Sequence, residues 1–247
     1  MKTYGLIGFP LGHSFSARYF AEKFAREGID AEYLNFEIES ADRLTDIVNR
    51  HPDLCGLNVT IPHKQAVIGL LDELSDEARA IGAVNVIKIV RHDGEIRLKG
   101  FNADIIGFTR SIAPLLRTHH RKALVLGTGG ASKAVIHGLR SLHIEPQYVS
   151  RKKTAGCLTY EDLTPALMAE YTVIVNCTPC GMYPKVDTCP AIPYDRLTPD
   201  HLLYDLVYNP EETLFMKRGK EHGATVKNGL EMLHLQAEAS WQFWTHE

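Results

Sequence analysis

No apolar run in this sequence reaches the length that crosses a bilayer, which argues against a helical membrane protein. Cations are not in excess: 27 Lys and Arg stand against 30 Asp and Glu, a net charge of −3, so the electrostatic footprint of a nucleic-acid binder is missing. No block of like charge reads as an interaction tail. Cysteine is scarce and odd in number, five in 247 residues, which suits reduced thiols in the cytoplasm rather than a disulfide scaffold. The pattern from Thr3 to Gly8 already reads as a strand and is too short for the core of a secretion signal. With 45% hydrophobic and 23% charged residues the composition is that of an ordinary globular protein. A chain of this length can bury one large core or two modest ones.

What is present is a stretch that organises the rest, Ala123-Leu124-Val125-Leu126-Gly127-Thr128-Gly129-Gly130-Ala131-Ser132-Lys133. Four apolar residues predict a buried parallel strand, a glycine-rich turn follows, and a helix of small residues begins. In that context the glycines read as a phosphate-binding loop. Gly127 permits the tight turn, while Gly129 and Gly130 let backbone approach a pyrophosphate on the free N–H groups of the helix start. The third glycine of the usual dinucleotide fingerprint is Ser132 here. A central loop of this kind favours two domains.

Ahead of it, Tyr4 to Gly8 predicts a strand, and a helix is expected from about Ala17 to Glu27. Ser14 and Ser16 fall between them, at a corner that collects anions, or Ser16 is simply the helix N-cap. Ala31 to Phe36 predicts a second strand and Cys55 to Val59 a third. Pro62 suits the first position of a following helix, which sets Lys64 in its first turn. A cation there opposes the helix dipole, a local violation expected where function overrides stability, and it poises the ammonium to give up a proton. Lys64 also reads as a solvated side chain bending away. Asn85 lies among apolar residues and needs partners. Asn102 is expected to cap a helix from Asp104 to about Leu116; Asp104 in its first turn is either functional or a plain complement to the dipole.

Behind the loop, the strand Pro146 to Ser150 ends in Arg151-Lys152-Lys153. An acid at this distance would hold the ribose hydroxyl of NAD; none stands there, and the cations favour the 2′-phosphate of NADP, with Arg151 able to grip it in a fork. About six residues separate Ser150 from the strand-like Cys157 to Tyr160, too few for an ordinary parallel crossover, so the sheet is expected to be trimmed at this edge. Cys177 and Cys180 form a C-x-x-C without a second pair, which favours small buried residues over redox chemistry or a metal site.

Six segments carry a resemblance that runs the whole length: Gly8 to Ser16 (G-x-P-x-x-H-S-x-S), Asn58 to Lys64 (N-V-T-x-P-x-K), Gly82 to Asn85 (G-A-V-N), Asn102 to Asp104 (N-x-D), Asn176 to Met182 (N-x-T-P-x-G-M) and Asn228 to Gln236 (N-G-x-x-M-L-x-x-Q). In this order around a dinucleotide loop they resemble the shikimate dehydrogenase family. The resemblance implies an α/β fold of two domains: a mostly parallel substrate domain (1–104 with 229–247) and a Rossmann-like NADP domain (105–228), the last helix returning to the first. It implies NADPH-dependent reduction of 3-dehydroshikimate to shikimate, on the route to aromatic amino acids, by a monomer or homodimer in the cytoplasm, with no metal. Lys64 and Asp104 would be the catalytic pair. Ser14, Ser16 and Tyr208 would hold the substrate carboxylate, and Asn58, Thr60, Asn85 and Gln236 its ring hydroxyls. Gly127, Gly129, Gly130, Ala131, Ser132, Ser150, Arg151, Lys152, Thr178, Leu206, Gly229 and Met232 would contact NADP. Ala17, Val86 and Ala103 depart from the family's commoner residues, as does Ser150-Arg151-Lys152.

The chemistry agrees with the residue types. A ketone receiving a hydride becomes an alkoxide that must be stabilised and protonated, a task for a poised lysine. A pocket of Ser, Thr, Asn and Gln suits a substrate dense in hydroxyls, since each buried group left unpaired costs ~1–3 kcal/mol. Two other readings are an NAD-preferring quinate/shikimate dehydrogenase, disfavoured by the missing acid after Val149, and a non-catalytic sensor of the same ligands, which would lack the lysine–aspartate pair or carry a nucleic-acid-binding segment.

Overall fold

The computed structural model describes residues 1–12 and 15–246, which form two compact units. The first is Met1–Ala103 with Gln236–Glu247, the second Asp104–Leu235. In the first run β1 (Lys2–Gly8), α1 (Phe15–Glu27), β2 (Ala31–Glu37), α2 (Leu44–Arg50), β3 (Leu54–Val59), β4 (Glu73–Leu74), α3 (Asp76–Ile81), β5 (Val86–His92) and β6 (Glu95–Phe101). In the second run α4 (Asp104–Ile112), β7 (Lys122–Leu126), α5 (Gly130–Ser141), β8 (Glu145–Ser150), β9 (Cys157–Thr159), α6 (Pro165–Glu170), β10 (Val173–Asn176), β11 (Leu202–Asp205), α7 (Leu214–Glu221) and β12 (Thr225–Lys227). The final helix, α8 (Leu230–Thr245), enters the first unit at Gln236. Among the described residues no helix is long and apolar enough to cross a membrane.

The first sheet has the order β2-β1-β3-β5-β6-β4. β1 pairs in parallel with β2 and β3, whereas β3–β5 and β5–β6 are antiparallel. Asp93 and Gly94, both at positive φ (51° and 83°), make the tight turn of that hairpin. Strand alternation sorts the side chains: Ile7, Leu57, Val59, Ile87 and Ile89 join Leu44 and Val48 of α2 in one core. The opposite face carries Tyr4, Gly56 and Asn58 and is covered by α1 and α8. Tyr4 lies 4.9 Å from Trp244, centroid to centroid, and a Cβ on Gly56 would meet the Trp244 ring at 2.3 Å. The indole Nε1 donates to the Ile87 carbonyl (3.1 Å). Lys23 of α1, only 5% exposed, pairs with Glu27 (3.0 Å) and with Glu238 of α8 (3.1 Å).

The second sheet, β12-β11-β10-β7-β8-β9, is parallel throughout, and both of its faces are buried, as such sheets require. Val125 and Val175 look into one aliphatic core with Phe108, Leu139 and Met232; Leu124 and Ile174 look into another with Met168 and Phe215.

The expected trimmed edge is not found. β9 pairs in parallel with β8 (Tyr148 opposite Cys157), so the sheet keeps its sixth strand. The crossover helix is indeed absent, but a strand of three residues needs a return of only about 10 Å, which six residues can span. Elsewhere the structure shortens one helix: α4 ends at Ile112, short of Leu116, and continues as a 3₁₀ turn. α7 begins at Leu214, capped by the Thr213 hydroxyl.

Candidate active site

The carboxyl ends of parallel strands β1 and β3 lie side by side, the place where open α/β sheets bind ligands. The loops leaving them are joined by backbone bonds: Thr60 N donates to Ile7 O (2.9 Å) and Phe9 N to Ile61 O (3.0 Å). A Cβ on Gly8 would sit 2.4 Å from the Thr60 methyl, so the approach requires glycine. Ser14 lies outside the described residues. Ser16 is not a helix N-cap as one reading had it: α1 starts at Phe15, which puts Ser16 inside the first turn.

Lys64 is half-buried after β3, but the expected helix is not there. Residues 61–65 form turns, and the first helical residues are a 3₁₀ segment, Ala66–Leu70. The physical reason is tertiary. Val84 N donates to the Lys64 carbonyl (2.7 Å), and the buried His63 ring bonds the Ile38 carbonyl (2.7 Å), so both residues are held by distant backbone. Lys64 therefore does not sit in the first turn of an α-helix and feels no dipole of that origin, while its position beside the two strand ends stands.

Three of the expected hydroxyl-binding residues are joined in one buried network. Asn58 Nδ2 donates to the Asn85 carbonyl (3.3 Å) and to Ser240 Oγ (2.9 Å), and Asn58 Oδ1 accepts from the Tyr33 hydroxyl (2.8 Å). Asn85 Oδ1 accepts from Ala103 N (2.6 Å), and its Nδ2 donates to Gln236 Oε1 (3.2 Å). Asn102 Nδ2 donates to the Ala83 carbonyl (2.9 Å), which ties Asn85 and Asn102 into one stretch of backbone. Tyr33 and Ser240 escaped the sequence reading. Ser240 follows Gln236 by one helical turn and so shares its face, a spacing that could have found it.

In the second unit Gly127 (φ 99°) turns the chain after β7, and Gly129 caps α5 without any side-chain bond. A Cβ on Gly129 would meet nothing within 4 Å, so the helix start is open as a phosphate cradle must be. Ser132 is fully buried and donates to the Gly129 carbonyl (2.7 Å), so its hydroxyl shapes the loop from inside. Ala131 is half-buried. Ser150 ends β8, next to β7, and is followed by the exposed Arg151 and Lys152; the Lys152 N–H donates to Ser150 Oγ (3.3 Å). This cradle of open backbone with adjacent cations fits a dinucleotide bearing an extra phosphate.

Thr178 and Leu206 lie just beyond β10 and β11 and are held by a buried carboxylate that sequence reasoning did not single out. Asp205 accepts from Asn176 Nδ2 (2.9 Å), Val207 N (3.0 Å) and Thr213 Oγ1 (2.6 Å), while Asn176 Oδ1 accepts from Thr178 Oγ1 (2.6 Å). Burial pushes the Asp205 carboxyl up to about 6, against these three donors. Its signal was an acid ending an apolar strand. Gly229 allows its backbone to approach Leu206, since a Cβ would lie 2.2 Å from the Leu206 carbonyl. Met232 is 7% exposed and belongs to the core, whereas Tyr208 is 37% exposed. Asp104 opens α4 and is 5% exposed. Cys177 and Cys180 are half-buried free thiols, and burial raises that of Cys177. Among the described residues no group of three or more His, Cys, Asp or Glu could hold a metal.

Known proteins share this sequence and this fold. Residues 6–87 match the family model described as the shikimate dehydrogenase substrate binding domain. A protein of Geobacillus kaustophilus named shikimate dehydrogenase (NADP(+)) is 37% identical over 260 residues, covering 99% of this chain and 92% of its own length. The chain belongs to the shikimate dehydrogenase family. The crystal structure of shikimate 5-dehydrogenase from Thermus thermophilus in complex with NADP(H) and shikimate superposes with a TM-score of 0.86 at 28% identity, covering 100% of this chain and 94% of that one. Quinate dehydrogenase from Corynebacterium glutamicum in complex with NAD gives 0.86 at 26% identity, with coverages of 100% and 94%. The two-domain α/β fold is thus that of the family.

Proposed function

We propose that this protein catalyses the reversible NADPH-dependent reduction of 3-dehydroshikimate to shikimate. The observation that carries the reading is the full-length match to an NADP(+)-dependent relative together with the Gly127–Ser132 cradle and the cations, not an acid, after β8. Residues 1–104 with 229–247 form the substrate domain and 105–228 the cofactor domain, with Gly229 and Met232 also lent to the cofactor. Gly127, Gly129, Gly130, Ala131 and Ser132 hold the pyrophosphate, Ser150, Arg151 and Lys152 the 2′-phosphate, and Thr178, Leu206, Gly229 and Met232 complete the cofactor contacts. Bound NADPH supplies the hydride. Lys64 holds a proton at the ketone oxygen, stabilises the charge that develops there and releases the proton to it; Asp104 orients that ammonium and accepts from the neighbouring hydroxyl. Ser14, Ser16 and Tyr208 hold the carboxylate, and Asn58, Thr60, Asn85 and Gln236 the ring hydroxyls. Small molecules are the partners, the protein acts as a monomer or homodimer, and its five free thiols suit the cytoplasm.

The test is turnover with shikimate at matched NADP and NAD, followed by Lys64→Met. The variant is expected to lose ~10²–10⁴-fold in kcat with its affinity for NADP kept; turnover that persists would refute the lysine's role. The likeness to an NAD-bound quinate dehydrogenase favours one second reading, and higher kcat/KM for quinate with NAD than for shikimate with NADP would select it.

A further inference from the structure

The network around Asn58 fixes more than its place. Ser240 is fully buried, and its only hydroxyl hydrogen goes to the Gln236 carbonyl (2.8 Å), so towards Asn58 it can only accept. The Asn85 carbonyl, the other neighbour of the Asn58 amide nitrogen, can only accept as well. On the opposite side stands the Tyr33 hydroxyl, which donates its hydrogen to Asn58 Oδ1 (2.8 Å). The Tyr33 ring is locked in turn, stacked on Phe20 at 4.8 Å with an interplanar angle of 11°. Both Asn58 N–H bonds and one of its two oxygen lone pairs are thereby spoken for. What remains is a single lone pair.

We infer that Tyr33 and Ser240 are positioning residues that clamp the Asn58 amide in one orientation, so that Asn58 can meet a ligand only as an acceptor and selects a hydroxyl there. The inference rests on the substrate assignment made above, and it adds a reason for the choice. A hydroxyl can donate to this oxygen, whereas an ether or ketone at the same point would face a lone pair with a lone pair. Bonds running in one direction, from Tyr33 to Asn58 and from Asn58 through Ser240 to the Gln236 carbonyl, also polarise one another.

The experiment is a mutant cycle on the full chain, read as KM for shikimate and for NADP. Tyr33→Phe is expected to raise KM for shikimate about tenfold, the worth of one ordinary hydrogen bond, with KM for NADP unchanged. In an Asn58→Ala background the same change should add less than about twofold, because its target is gone. Ser240→Ala, at the other end of the amide, should behave in the same way and stands in if Tyr33→Phe fails to fold. Penalties that persist undiminished in the Asn58→Ala background, a parallel rise in KM for NADP, or no rise at all would overturn the clamp while wild-type turnover keeps the substrate assignment standing. A wild-type protein with no shikimate turnover would remove that assignment and the clamp with it.

Discussion

The two sheets hold six strands each and bury their polar groups by opposite means. The first, half antiparallel, sets neutral amides and hydroxyls (Asn58, Asn85, Ser240, Tyr33) against an aromatic wall of Tyr4, Phe20, Phe24, Trp241 and Trp244. The second, wholly parallel and buried on both faces, holds a carboxylate, Asp205, and gives it three donors. Neutral groups keep spare donors or acceptors for an uncharged ligand and respond little to pH. A buried carboxylate commits its oxygens to two side chains and one backbone N–H and couples the segments around it to protons. The amide network of the first unit and the loop scaffold of the second thus draw on different buried chemistry.

The comparison breaks most sharply at the aromatic wall. Trp244→Ala removes a ring packed on Tyr4, opens the space over Gly56 and removes the indole's bond to the Ile87 carbonyl. The expected cost is about 3–5 kcal/mol, seen as a lowered denaturation midpoint, with amide-exchange protection lost in β1, β3 and β5 and retained in β7, β10 and β11. Equal loss in both sheets would show that the two are not separable.

Asp205 sharpens it. A carboxyl whose value is raised from 3.8 to about 6 holds its proton more tightly folded than unfolded. Its contribution is therefore most favourable below pH 3.8 and is lost as pH climbs through about 6, a swing on the order of 3 kcal/mol. Asp205→Asn, which can still accept from Asn176 and Val207, should remove that slope: its stability relative to wild type should rise between about pH 4 and 7, and a pH-independent difference would contradict the burial argument. The smallest effect belongs to the surface. Lys122 bridges Glu170 (2.6 Å) and Glu145 (3.6 Å) at the outside of the second sheet. Lys122→Met should lower the thermal midpoint least of these variants, and by less still at high salt.

What the sequence disclosed followed from local physics. The glycines at 127, 129 and 130 and the apolar strands are all set by residues within a few positions of one another. What it concealed depends on partners far away. Lys64 leaves the helix expected of it because Val84 claims its carbonyl. β9 finds β8 because a short strand needs a short return. Tyr33 meets Asn58 across 25 residues, and Asn58 meets Ser240 across 182, distances over which periodicity says nothing. The motif-bearing residues of the candidate site could be named from the family resemblance that the motifs carry; the side chains that orient them could not.

The order of the chain also governs how the protein is made. Residues 236–246 dry the far side of a sheet whose strands end at Phe101, yet they are synthesised after every residue of the second unit. Until that tail leaves the ribosome, the face that carries Tyr4, Gly56 and Asn58 has only α1 over it, and the earlier-born half of the molecule must wait for the later one before it can finish folding.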